Sequence, residues 1–185
     1  MTETVKSSST KIATKWALIC LAITIVLTYT FEFLNIDPNS PAKYVNYVPF
    51  IGLLLLTQKE FRDELGGFMT FGQGFSAGFR YAVFTGLLTA LFTYIYLGFL
   101  SPDQWQKALD TAQTQMEEKG TMTDAQIKTA MDITAKYGLL ITAFFLAIGS
   151  AVMGAVISLI GAAIFKKERS PYDMDDAEVV EDPAV

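Results

Sequence analysis

The sequence contains no histidine. That removes the commonest general base, the commonest zinc ligand, and the serine and cysteine triads that need an imidazole. Its single cysteine, Cys20, excludes an internal disulfide and leaves the redox compartment open. A basic stripe is also missing. Lysine and arginine occur in short clusters beside apolar runs, so nucleic acid is not an expected partner. The net charge is −5, but much of the acid lies beyond Ser170. Asp173, Asp175, Asp176, Glu178, Glu181 and Asp182 stand there with no Lys or Arg among them. This is the composition of a disordered, solvated tail over 168–185, which in a sharper reading docks a basic partner. The chain therefore reads as non-enzymatic, with no catalytic residue, no cofactor and no metal.

What the chain has in quantity is apolar residues, 51% of the total, gathered into long runs. The first, 16–34, is about 19 residues and so about 29 Å as a helix, enough to cross hydrocarbon. Lys11 and Lys15 precede it like the basic region of a signal peptide. No small-residue cleavage site follows, because Tyr29, Phe31 and Phe33 occupy that place. The run reads as a retained helix. The second, 40–57, is weaker: it holds Asn46 and Pro49, and Tyr44 and Tyr47 suit an interfacial belt. Its rival reading is a re-entrant or interfacial segment. The third run, 75–100, is broken only by Arg80, and the fourth, 137–165, carries no charge.

Between the third and fourth runs, 101–136 reads as an extramembrane helical hairpin. Ser101-Pro102-Asp103-Gln104 predicts a helix start, with serine as cap, proline at the first helical position and Gln104 closing a capping box. Trp105, Ala108, Leu109, Ala112 and Met116 then share a face. Gly120 interrupts, Thr123-Asp124-Ala125-Gln126 opens a second helix, and Ile127, Ala130, Met131 and Thr134 form its inner face. That second helix is expected to run on into the fourth span. A ligand lid is the sharper alternative to a hairpin lying on the bundle or the bilayer. The fold class is thus all-α: a four-transmembrane-helix bundle with an N-terminal segment 1–15, a membrane domain 16–167 and the acidic tail.

Orientation follows from the basic residues. With a cytoplasmic N-terminus and four spans, Lys6, Lys11, Lys15, Lys59, Arg62, Arg80, Lys166, Lys167 and Arg169 lie inside. Lys43, Lys107, Lys119, Lys128 and Lys136 lie outside. Were the second run not to cross, Lys166, Lys167 and Arg169 would face out, against the rule. Both termini are therefore expected in the cytoplasm.

The most specific pattern is a small residue at every fourth position: Gly74, Gly78, Ala82, Gly86 and Ala90 on the third helix, and Ser150, Gly154, Ser158 and Ala162 on the fourth. Spacing of four holds each set on one face, where helix backbones approach closely in lipid. The two helices are expected to pack on each other or across a dimer; a substrate path along the glycines is the rival. Gly72-Gln73-Gly74 looks like a phosphate loop, but no lysine of the Walker type and no strand accompany it, and that reading is rejected. Phe61, Phe68 and Phe71, with Arg80, form an aromatic and basic inner segment suited to a protein partner or lipid headgroups. Arg80 is expected to meet phosphates or Glu64. Glu32 is the one acid inside a predicted span. It reads as an interfacial acid paired with Lys43 or Lys136, or as a proton or cation site. The second reading would make the protein a small transporter or lipid-handling protein.

The sequence resembles the family of domains of unknown function numbered 4199, small membrane proteins of Bacteroidota. The resemblance is carried by the basic-flanked first span, by Gly67-Phe68-Met69-Thr70-Phe71-Gly72-Gln73-Gly74-Phe75 with Gly78-Phe79, and by Tyr94-Ile95-Tyr96 leading to Ser101-Pro102-Asp103. A helix ending in Gly154-Ala155-Val156-Ile157-Ser158-Leu159-Ile160-Gly161-Ala162-Ala163-Ile164-Phe165-Lys166-Lys167 completes it. It covers nearly the whole chain to Lys167 and implies a bacterial inner-membrane protein without an assigned activity. It also implies an association with a polyprenyl-phosphate glycosyltransferase. The expected role is that of an accessory or scaffold subunit of an envelope or glycolipid assembly. Its expected partners are membrane lipids and either that enzyme or a second copy of the chain.

Overall fold

The structure, a computed structural model, describes residues 8–36 and 40–168. The acidic tail beyond Glu168 and the first seven residues lie outside the described residues. Helix α1 spans Ser9–Phe33, a 3-10 turn Pro41–Asn46 leads into α2 (Tyr47–Glu64), and α3 spans Phe71–Ile95. A π-turn, Tyr96–Leu100, follows α3; α4 is Pro102–Lys119 and α5 is Asp124–Phe165. Among the described residues the chain is helical apart from turns and one isolated bridge.

Three of these segments are long and apolar enough to cross a membrane: Ser9–Phe33, Phe71–Leu100 and Asp124–Phe165. Helix α2 is not one of them, because Lys59, Glu60, Arg62, Asp63 and Glu64 fill its last turns. Asn46 falls in the 3-10 turn and Pro49 in the first turn of α2, where a missing N–H breaks no helical bond. Helix α5 has 42 residues, about 63 Å, roughly twice the thickness of a hydrocarbon core. It starts well before the apolar run at Tyr137, so the second hairpin helix and the fourth run are one helix.

The chain divides into two compact units, Met1–Phe84 with Met153–Val185, and Thr85–Val152. In the first unit α1 and α2 are antiparallel: Lys15 and Trp16, early in α1, reach Glu60, late in α2. One face of α2 (Phe50, Leu53, Leu54, Thr57, Gln58 and Phe61) is buried, the i, i+4, i+7 stripe of a packed helix. Ile12, Phe61, Met69 and Ala77 form a core with Trp16, Leu65 and Phe165 packed against it. Tyr81 is fully buried and donates its hydroxyl to Phe50 O at 3.2 Å. Between α2 and α3 the chain turns through Gly66 and Gly67, whose φ values of 78° and 86° favour glycine. Gly67 N–H closes a bond to Arg62 O, ending α2 as a Schellman motif does. Thr70 and Gln73 then cap α3 reciprocally, Gln73 Oε1 accepting from Thr70 N–H at 2.9 Å. Met69 and Lys167 exchange two backbone bonds, pinning the end of α5 beside the start of α3.

In the second unit α4 folds back on the first part of α5. Gly120, with φ 59°, ends α4, and Thr123 with Gln126 caps α5. The start of α4 differs from expectation. Proline does take its first position, but Ser101 makes no side-chain cap bond, and Gln104 N–H instead bonds to Ser101 O at 3.0 Å. The π-turn explains this: Ser101 N–H is drawn back to Tyr96 O at 2.7 Å, placing the residue at φ −137°. Trp105 lies over Gly138, so close that a Cβ there would stand 2.9 Å from the ring. Leu109 and Ile127 are buried between the two helices, while Ala108, expected on the inner face, is exposed.

Candidate functional site: a buried amide among small residues

The small residues of α3 and α5 meet within one chain. In the first unit Gly74 lies against Ala162, Gly78 against Ser158 and Ala82 against Gly154. Each four-residue step up α3 is matched by four residues down α5, the register of antiparallel helices. The approach is tight: a Cβ on Gly154 would stand 2.1 Å from that of Ala82. In the second unit Gly86 faces Ser150 and Ala147, and Ala90 is buried.

Into the α3–α5 contact of the first unit, α2 inserts Gln58. Its side chain is fully buried. Its amide nitrogen donates to Gly74 O on α3 at 3.0 Å and to Ser158 O on α5 at 2.9 Å. Both partners are carbonyls, which only accept, so the amide orientation is forced. The amide fits because its neighbours lack side chains. A Cβ on Gly78 would stand 2.8 Å from Nε2, and one on Gly161 would stand 1.9 Å from Oε1. Oε1 and the Ser158 hydroxyl oxygen are buried and without a hydrogen-bond partner among the described residues. Oε1 instead occupies the direction of the Gly161 α-hydrogen, a weak C–H···O contact of the kind found where helices touch. Thr57, also fully buried, turns its hydroxyl to Leu53 O at 2.8 Å.

This site was not singled out from the sequence. Gln58 stands directly before Lys59 and Glu60 and carries no motif of its own. The available signal was its phase: Gln58 stands four residues from Leu54 and eight from Phe50, inside the apolar stripe of α2.

Below the amide, Glu60 ties α1 to α2. It is bonded to the Lys15 ammonium and accepts the Trp16 indole N–H at 2.7 Å. A groove of about 350 Å³ lies beside this knot, lined by Trp16, Leu56, Lys59, Glu60, Asp63 and Glu64. At the same end Arg62 lies over the Phe165 ring and Lys167 over Phe68, cation–π contacts at 5.6 and 5.2 Å.

Of the inner aromatic residues read as partner or headgroup contacts, Phe61 is corrected: it is 7% exposed and belongs to the core. Its phase on α2, eleven residues from Phe50, puts it on the buried face. Phe68 is half-buried under Lys167, and Phe71 is exposed. Arg80 bonds the hydroxyls of Ser9 and Thr10 at the start of α1. Glu32 is half-exposed in the last turn of α1, away from the buried amide. The arrangement at Gln58 is neutral and closely packed. Among the described residues no ionisable group stands beside the Ser158 hydroxyl there, and what the amide does chemically is join three helices.

A family profile described as a protein of unknown function (DUF4199) matches residues 15–167, and the chain belongs to that family. No curated protein and no solved structure matches it.

Proposed function

We propose that this member of the family is a four-crossing protein of the bacterial inner membrane with both ends cytoplasmic. Its proposed role is that of a non-catalytic accessory or scaffold subunit. The observation that carries the topology is the pairing of helix starts. Arg80 of α3 reaches Ser9 and Thr10 of α1, and Ile12 and Ala77 share one core cluster, so α1 and α3 begin at the same end of the first unit. If both cross in the same direction, the chain between them must return. The 3-10 turn and α2 together extend about 39 Å, enough for that return. The end that gathers Lys11, Lys15, Arg62, Lys166 and Lys167 is then cytoplasmic by the positive-inside rule.

The non-catalytic reading is supported by how buried polarity is used. Gln58 directs its donors to backbone carbonyls of α3 and α5, which holds helices together, and Thr57 turns its hydroxyl to Leu53 O within α2 itself. The partner we propose is a membrane enzyme acting on a polyprenyl-phosphate glycolipid, as the family resemblance implies. Crosslinking in intact membranes, mild-detergent purification and mass spectrometry test this. A stoichiometric membrane glycosyltransferase is expected. A monodisperse monomer without a partner contradicts the reading.

A further inference from the structure

Arg80 is the only charged residue between Phe71 and Leu100, about 13 Å along α3 from its start. A guanidinium at that depth is permanently ionised and requires compensation. Its side chain turns back toward the start of α3, as helical side chains do, and reaches the first residues of α1. There Nη1 donates to Ser9 Oγ and, at 3.2 Å, to Thr10 Oγ1. Both acceptors are neutral. None of the ion pairs Lys15–Glu60, Arg62–Asp63 and Lys166–Glu168 includes Arg80. No acid stands in the first turn of α1, and Lys11 adds a second cation next to Thr10. The two hydroxyls thus hold Nη1, and among the described residues no acceptor is bonded to Nε or Nη2. Arg80 itself is exposed.

From this geometry we propose that Arg80, positioned by Ser9 and Thr10, binds the phosphate of an anionic phospholipid in the cytoplasmic leaflet. A phosphate diester presents two acceptor oxygens that match the free edge of the guanidinium. Arg80 brings a positive charge to which no acid is bonded among the described residues, which favours a lipid of net negative charge over a zwitterionic one. The inference rests on the membrane reading above and deepens it.

The full chain is reconstituted in phosphatidylcholine vesicles containing a minor fraction of phosphatidylglycerol, and retained lipid is read by native mass spectrometry. The wild type is expected to keep one phosphatidylglycerol per chain. Arg80→Gln is expected to bind it about tenfold or more weakly, since a charge-assisted bond is lost. The double variant Ser9→Ala with Thr10→Ala keeps the charge and is expected to show a smaller loss. Wild-type retention by a folded Arg80→Gln protein overturns the proposal. Should Arg80→Gln fail to fold, wild-type retention by the double variant overturns it instead. Displacement of the lipid by millimolar inorganic phosphate, with stabilisation of the wild type alone, would assign the site to a free anion and overturn the lipid source. Release of the chain from native membranes by alkaline carbonate would instead refute the membrane reading, whatever the Arg80 comparison gives.

Discussion

Replacing Gly161 by alanine tests the buried amide directly. The new Cβ would stand 1.9 Å from Gln58 Oε1, 3.0 Å from its Cδ and 2.9 Å from Leu55 Cδ2. Leu55 can rotate a methyl, but the amide is fixed between two carbonyls and must leave them. Two interhelical hydrogen bonds in a membrane are together worth about 1 kcal/mol on average, with single values up to about 1.7. Overpacking adds about 1–3 kcal/mol, and the better helix propensity of alanine returns about 1. The expected net loss is about 1–3 kcal/mol. In a Gln58→Ala background the obstacle is gone, so Gly161→Ala should be neutral or stabilising, a coupling of about 2 kcal/mol. Gly149→Ala, where a Cβ meets nothing within 4 Å, serves as control. Detergent-solubilised protein unfolded with increasing sodium dodecyl sulfate and followed by circular dichroism gives the four stabilities. Additivity of the two substitutions within about 0.5 kcal/mol would refute the amide clamp.

Further outcomes follow from neighbouring contacts. Gly154→Ala forces its Cβ against Ala82, 2.1 Å away, and should lower the unfolding midpoint; adding Ala82→Gly should restore most of it. Gly138→Ala displaces the Trp105 ring, 2.9 Å from the new atom, and should red-shift tryptophan emission in a Trp16→Phe background while leaving the far-ultraviolet circular dichroism spectrum unchanged. Glu60→Ala strands the half-buried Trp16 N–H and should cost about 1–2 kcal/mol. Lys15→Ala removes a half-exposed partner of the same carboxylate and a cation 4.9 Å over the Trp16 ring, and should cost about 1 kcal/mol or less.

The apolar runs, the small-residue stripes and the continuity of α5 were legible because each is a local period: charge-free length, spacing of four, and a cap at Thr123 without a breaker until Phe165. The family was legible in the glycine and aromatic phrases around Gly67–Phe79. Gln58 was not, because a glutamine beside Lys59 and Glu60 looks like surface until the phase of Phe50, Leu54 and Phe61 is traced past the apolar run. Phe61 failed for the same reason, its neighbours' charge outweighing its place on the stripe. Ser101 failed because a cap motif assumes that the preceding helix has ended, and here a π-turn claims its N–H. The pairing of Arg80 with Ser9 and Thr10 joins residues about seventy positions apart, beyond the reach of any local pattern. By length and composition three helices can cross; the return of the chain through α2 is our proposal, supported by the bias of basic residues in the sequence and by which helix ends meet.

That return is the central claim, and cysteine accessibility tests it most directly. In a Cys20→Ala background, single cysteines are placed at Ala42, Asp63, Gln106 and Glu168, and intact cells are treated with a membrane-impermeant maleimide. Four crossings predict labelling at 42 and 106 from outside, with 63 and 168 labelled only after permeabilisation. Cysteines at 42 and 63 that label from the same side would contradict it.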